Sequence, residues 1–147
     1  MNDIVWAIDP RQDTLSDVVA RIRRFASDVL DAKAIRWSFQ APPVSEELNL
    51  SLAQRRHLLL IFKEAIHNVV RHSQCQTAEL RIELDGTALQ ACIKDDGAGI
   101  RDGSTHGRGL NSMYGRAAQL GGSLEVISTP GSGTEVSLRF PLGGGAS

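Results

Sequence analysis

The sequence predicts an α/β (α+β) fold of two layers, a mixed and mostly antiparallel sheet of about five strands covered on one face by three helices. Three observations carry this prediction. Three segments space their apolar residues three and four apart, about five shorter segments alternate apolar with polar, and glycine-bearing turns separate the alternating runs. The chain has 147 residues, enough for one core and little more, and it contains no internal repeat. Its 41% hydrophobic and 22% charged content is that of a soluble globular protein. A net charge of -1 gives no electrostatic reason to expect nucleic acid or an anionic membrane as partner. Cys75 and Cys92 lack metal or disulfide-framework spacing, and the four histidines lack metal-ligand spacing. No run approaches the ~20 apolar residues of a membrane span, and no signal peptide opens the chain, which therefore reads as cytoplasmic as given.

Residues 1–13, MNDIVWAIDPRQD, are too apolar for a free tail and too few to pack on themselves, so they are expected to dock as a linker. From Thr14 a helix begins, with Leu15, Val18, Val19, Ile22, Phe25, Ala26, Val29 and Leu30 on one face and Thr14/Asp17 as a capping box. Ile35, Trp37 and Phe39 alternate before Pro42 and Pro43, a strand stopped by residues that cannot continue a ladder. Ser51/Gln54 can cap a long central helix whose core face carries Leu58, Leu59, Phe62, Ala65, Ile66, Val69 and Val70. Leu80, Ile82 and Leu84, then Leu89, Ala91 and Ile93, form two strands joined at Asp85-Gly86. Asp95 to Gly109 holds five glycines in fifteen residues and almost nothing apolar, which predicts a mobile exposed loop. A third helix through Leu110, Met113, Tyr114, Ala117 and Leu120 closes at Gly121-Gly122. The last hairpin runs through Leu124 and Val126, turns at Pro130 to Gly133, and returns through Val136, Leu138 and Phe140. The domain thus spans 14–142, and 143–147 is a flexible tail.

Residues with chemistry lie outside the apolar pattern. Glu64 and Asn68 are four apart on one stripe of the central helix, and Arg71 and His72 continue that stripe at its end. A carboxylate and a carboxamide so placed can share a magnesium ion and its waters, because a hard cation takes oxygen ligands. A Glu and an Asn on a helix edge are more often simply solvated. Three glycine-bearing stretches follow. In Asp95-Asp96-Gly97-Ala98-Gly99 a strand-end carboxylate can accept a hydrogen bond from an amino group, and the glycines let a flat ligand approach the backbone. A bare DxGxG pattern is a turn more often than a site. Gly107-Arg108-Gly109-Leu110 lies where loop becomes helix, so free N–H groups and the helix dipole can hold phosphates. Glycine there is also common without a ligand. The Gly131-Ser132-Gly133-Thr134 turn offers a Thr134 hydroxyl that can support Asp95, and alone it means little. Walker A and GxGxxG sequences are both absent.

In this order and spacing the four pieces jointly resemble the ATP-binding domain shared by histidine kinases, Hsp90-type chaperones, gyrase B and MutL. Glu64 to Asn68 resembles that family's N box, Asp95 to Gly99 its G1 box, Gly107 to Leu110 its G2 box, and Gly133-Thr134 its GT element. Asp3 to Pro10 (DIVWAIDP), Asn68 to Ser73 (NVVRHS) and Gly109 to Gly122 (GLNSMYGRAAQLGG) are similar to sensor histidine kinases of the NarX/DesK type. The resemblance covers essentially the whole chain. It implies a Bergerat fold in which Asp95 binds the adenine amino group, Asn68 holds Mg2+ and Glu64 activates or orients the reacting groups. It also places Arg71, His72, Gly97, Gly99, Leu110, Thr134 and the Gly107-Arg108-Gly109 amides around ATP.

The segment between Gly99 and Gly107 is short and lacks a phenylalanine-bearing box, as in that subgroup. A phosphoacceptor histidine of the subgroup is followed by an acidic residue, whereas His57, His67, His72 and His106 precede Leu, Asn, Ser and Gly. The expectation is therefore a kinase domain, monomeric in isolation, that donates the γ-phosphate to a dimerisation and histidine phosphotransfer domain of a longer, membrane-anchored or soluble parent. A response regulator would be the downstream partner. The alternatives are a free-standing serine kinase of the anti-sigma-factor type and a nucleotide-binding module that only regulates.

Overall fold

The computed structural model describes residues 14–42, 48–72, 76–97, 108–129 and 131–142, apart from the side chains of His72 and Arg108. The expected linker at 1–13, the glycine loop with Gly99 and Gly107, and the tail at 143–147 lie outside the described residues.

Both predicted capping boxes start their helices. Helix α1, Leu15–Leu30, opens with the backbone N–H and the hydroxyl of Thr14 donating to Asp17 Oδ2 at 3.4 and 3.0 Å. Leu15, Val18, Val19, Ile22, Ala26 and Leu30 are buried, and Phe25 and Val29 pack half-buried at the edge of the same face. Helix α2, Leu52–His72, opens with the Ser51 N–H donating to Gln54 Oε1 at 2.9 Å while the Gln54 N–H returns to Ser51 Oγ at 3.1 Å. Its core stripe is Leu58, Leu59, Phe62, Ala65, Ile66 and Val69 as expected, joined by Ile61. Phe62 is fully buried and stacks on Phe39, ring centroids 5.8 Å apart. Burial of a side chain of this kind contributes roughly 1.5 to 3 kcal/mol.

Strand β1, Arg36–Gln40, pairs in parallel with β2, Thr77–Asp85, because the long α2 crossover separates them. The other pairings are antiparallel, through β3, Ala88–Asp95, β4, Ser123–Thr129, and β5, Gly133–Pro141, in the order β1-β2-β3-β5-β4. The register lines up Leu80, Ile93 and Val136, then Ile82, Ala91 and Leu138, then Leu84, Leu89 and Phe140, so apolar rows cross the sheet beneath the helices. The opposite face carries exposed pairs such as Arg81–Glu79. The β2–β3 turn falls at Gly86-Thr87 rather than Asp85-Gly86, since Asp85 still pairs with Ala88.

Helix α3, Arg108–Gln119, leans on α2, β4 and β5 through Leu110, Met113, Ala117 and Leu120. Tyr114, expected on this face, is instead 45% exposed: one residue beyond Met113 turns it about 100° around the helix, onto the rim. The helix ends in a Schellman motif, with Gly122 N–H donating to the Ala117 carbonyl and Gly121 N–H to the Ala118 carbonyl, each at 3.0 Å. Gly121 has a φ of 76°, which L side chains avoid. The β3 end carries Asp95, and the flank of α2 outside its core stripe carries Glu64, Asn68 and Arg71.

Candidate functional site

Asp95 ends β3 in the middle of the sheet, flanked by Ala78 of β2 and Thr134 of β5. It is only 6% exposed. Burial pushes its carboxyl above the ordinary carboxylate range. The backbone N–H groups of Gly97 and Thr134 pull the other way, and the neighbouring Asp96 charge adds to the rise. The Gly97 bond is 2.8 Å long. An ionised carboxylate offers about four lone-pair positions, so two backbone donors leave capacity for a ligand donor. The expected support from the Thr134 hydroxyl is not the contact made: the backbone N–H of Thr134 serves Asp95, and its hydroxyl lies 3.2 Å from Ser128 Oγ on the opposite strand.

Asp96 faces the other way. Its Oδ1 accepts the N–H groups of Gln76 and Thr77 at 2.9 and 3.0 Å, and its own N–H donates to the Thr77 carbonyl at 3.3 Å. These bonds, the Thr77 N–H foremost, hold its carboxyl below the ordinary range. On the β5 side Gly133 has a φ of 102°, and a Cβ there would lie 2.0 Å from the Asp95 carbonyl oxygen and 3.1 Å from the Asp96 Cα. Only a residue without a side chain permits β5 to come this close. Asp96 drew no separate role from the sequence and Gly133 only its place in the GT element, because both act through strand ends that are distant in the chain. The DD doublet and the glycine before Thr134 were the available signals.

The second group lies on α2. Arg71 Nη2 sits 3.1 Å from Glu64 Oε2, with the Glu64 side chain 27% and the Arg71 side chain 58% exposed. Asn68 is half-buried between them on the stripe, and among the described residues no side-chain hydrogen bond engages it. The structure therefore brings Glu64 together with Arg71, and Asp95 together with Gly97 and Thr134. Leu110 is buried in the first turn of α3, against α2. Gly99 and Gly107 lie outside the described residues, as do the side chains of His72 and Arg108, while Arg108 and Gly109 begin α3 as expected. Among the described residues no three His, Cys, Asp or Glu side chains cluster as a metal site. No helix among them is long and apolar enough to cross a membrane.

A buried strand-end carboxylate, followed in sequence by a glycine-rich stretch, thus shares one domain with a helix that carries Glu and Asn four apart. Residues 53–144 match the family described as histidine kinase-, DNA gyrase B-, and HSP90-like ATPase. The chain belongs to this family. Within the family it is similar to the sensor histidine kinase LiaS of Bacillus subtilis, 32% identical over 110 residues, which are 74% of this chain and 29% of that protein. It is also similar to the histidine-protein kinase/phosphatase UhpB of Salmonella typhimurium, 35% identical over 94 residues, 63% of this chain and 19% of that protein. The chain spans less than a third of the length of these relatives. The histidine kinase domain of the Erythrobacter litoralis EL346 blue-light activated kinase has the same fold, with a TM-score of 0.73 at 24% identity over 85% of this chain and 61% of that one. The family's ATPase fold thus accounts for the three-helix, five-stranded sandwich.

Proposed function

We propose that this domain binds Mg-ATP and donates the γ-phosphate to a histidine on a separate dimerisation domain of a two-component sensor kinase of the NarX/DesK type, which then phosphorylates a response regulator. The observation that carries the reading is Asp95: a buried carboxylate, fixed by backbone donors, at the end of a central strand. An ionised carboxylate only accepts hydrogen bonds, so it suits the adenine 6-amino group and repels the guanine 6-oxygen. Gly97 lets the base approach the backbone, and Thr134 holds Asp95 from β5.

The donor set also fits magnesium. Asn68 supplies one hard oxygen, and with no protein cage among the described residues the remaining ligands would be phosphate oxygens and water, the usual habit of this ion. Bound Mg-ATP supplies the transferable phosphoryl group and a site of charge neutralisation. The chain's own residues do the positioning. Arg71, His72 and the Gly97, Gly99, Gly107, Arg108, Gly109 and Leu110 backbone border the phosphates and the base. Glu64, released from Arg71, orients or activates the acceptor imidazole. Residues 1–13 serve as the linker from the acceptor helix, 14–142 as the ATP-binding domain and 143–147 as a tail. The isolated domain is monomeric and cytoplasmic.

The test is labelling in trans. The 147-residue chain with Mg-ATP labelled at the γ-phosphate should bind nucleotide without labelling itself, and should place acid-labile phosphate on an added dimerisation segment of its parent. Acid-labile phosphate on the 147-residue chain alone would contradict the division of labour and favour a self-contained kinase.

A further inference from the structure

We propose that Asp96 is a positioning residue that aims Asp95, acting as one jaw of a clamp whose other jaw is the side-chain-free Gly133. This rests on the proposed role of Asp95 and extends it to residues outside that contact set. Three strands meet at the clamp. Asp96 Oδ1 gathers the N–H groups of Gln76 and Thr77, the residues through which the chain enters β2 after α2. The Gln76 carbonyl in turn accepts the N–H of Arg36 at the start of β1, at 2.9 Å. On the far side the β5 backbone at Gly133 lies against the Asp95 carbonyl and the Asp96 Cα, a position that excludes any Cβ.

The Asp95-Asp96 backbone is therefore held from both neighbouring strands, and the Asp95 side chain, projecting to the helix-covered side, inherits a fixed direction. A carboxyl aimed within a few tenths of an ångström discriminates between bases, whereas one free to swing does not. Asp96 also ties the start of β2, the strand that follows α2 in the chain, to the strand end that carries Asp95.

The acceptor atom, rather than the charge, does the clamping, since both Gln76 and Thr77 donate to the same Oδ1. Asp96→Asn keeps that oxygen and Asp96→Ala removes it. The experiment is calorimetric titration of the 147-residue chain and both variants with Mg-ATP and with Mg-GTP, alongside thermal melting. Asp96→Ala should lower the ATP-over-GTP affinity ratio by about tenfold or more, whereas a merely structural loss would weaken both nucleotides alike. Asp96→Asn should hold the ratio within about twofold of the parent chain. Asp96→Asn keeps the proposal testable even if Asp96→Ala does not fold. An unchanged ratio in Asp96→Ala, or a ratio that collapses in Asp96→Asn, would each overturn the clamp. Failure of the parent chain to bind ATP would instead remove the reading of Asp95 itself, so the two failures are distinguishable.

Discussion

The two carboxylates at the heart of the candidate site live in opposite surroundings. Asp95 closes a central strand, 6% exposed, and backbone donors from its own turn and from β5 hold it. Glu64 stands on a helix surface and is held by one long, 58% exposed arginine two turns away. Backbone donors cannot leave when a ligand arrives. A surface arginine can, because an exposed ion pair contributes only about 0 to 1 kcal/mol. The strand-end carboxylate is thus built to recognise, and the helix carboxylate to change partner.

If the strand end is rigid by construction, disturbing it should cost the most. Gly133→Ala forces a Cβ into the Asp95 carbonyl at a φ of 102°, so it should destabilise the fold by about 2 to 4 kcal/mol in urea denaturation. A loss below about 1 kcal/mol would mean β5 can shift away, and the strand end is not over-determined. The helix stripe should respond in function instead. Glu64→Gln should leave nucleotide affinity within about twofold and slow transfer to the acceptor by about 100-fold or more, as loss of a general base does. Asn68→Ala, by contrast, should abolish the magnesium dependence of binding, and matched behaviour of the two variants would erase the distinction between them. The smallest effect belongs to the ion pair itself. Arg71→Ala should change stability by no more than about 0.5 kcal/mol, less in high salt, and a larger loss would make the pair structural rather than exchangeable.

Legibility in the sequence followed distance along the chain. Thr14/Asp17 and Ser51/Gln54 are pairs only three positions apart, and both close their boxes as read. Alternation in 80–84 and 89–93 located the central hairpin, although the turn shifted by one residue because Asp85 could still pair. Tyr114 was misplaced because helical periodicity locates a face but not its rim, where one step of 100° decides exposure. Asp95 stood out as the acid of a glycine-rich turn, yet its depth in the sheet depends on β5, some forty residues on. The Glu64–Arg71 contact joins residues that share a stripe, but nothing in their spacing tells which rotamers meet. Parallel pairing of β1 with β2, and the junction of Asp96 with Gln76 and Thr77, exist only once the strands have assembled.

The most direct test of recognition by Asp95 is calorimetric titration of the chain with Mg-ATP and Mg-GTP across pH. Burial raises the folded carboxyl above its ordinary value of 3.8. The folded chain therefore binds more protons than the unfolded chain between those two values, and ionised Asp95 lowers stability as pH rises through that window. Nucleotide binding needs the ionised form, so it has the opposite sign: full at neutral pH, and lost as pH falls through the raised value, before 3.8 is reached. ATP should bind at least about tenfold more tightly than GTP at neutral pH. This preference should disappear on acidification and be absent at every pH in Asp95→Asn. Equal affinities for the two nucleotides, or an ATP affinity that Asp95→Asn leaves unchanged, would contradict recognition by Asp95.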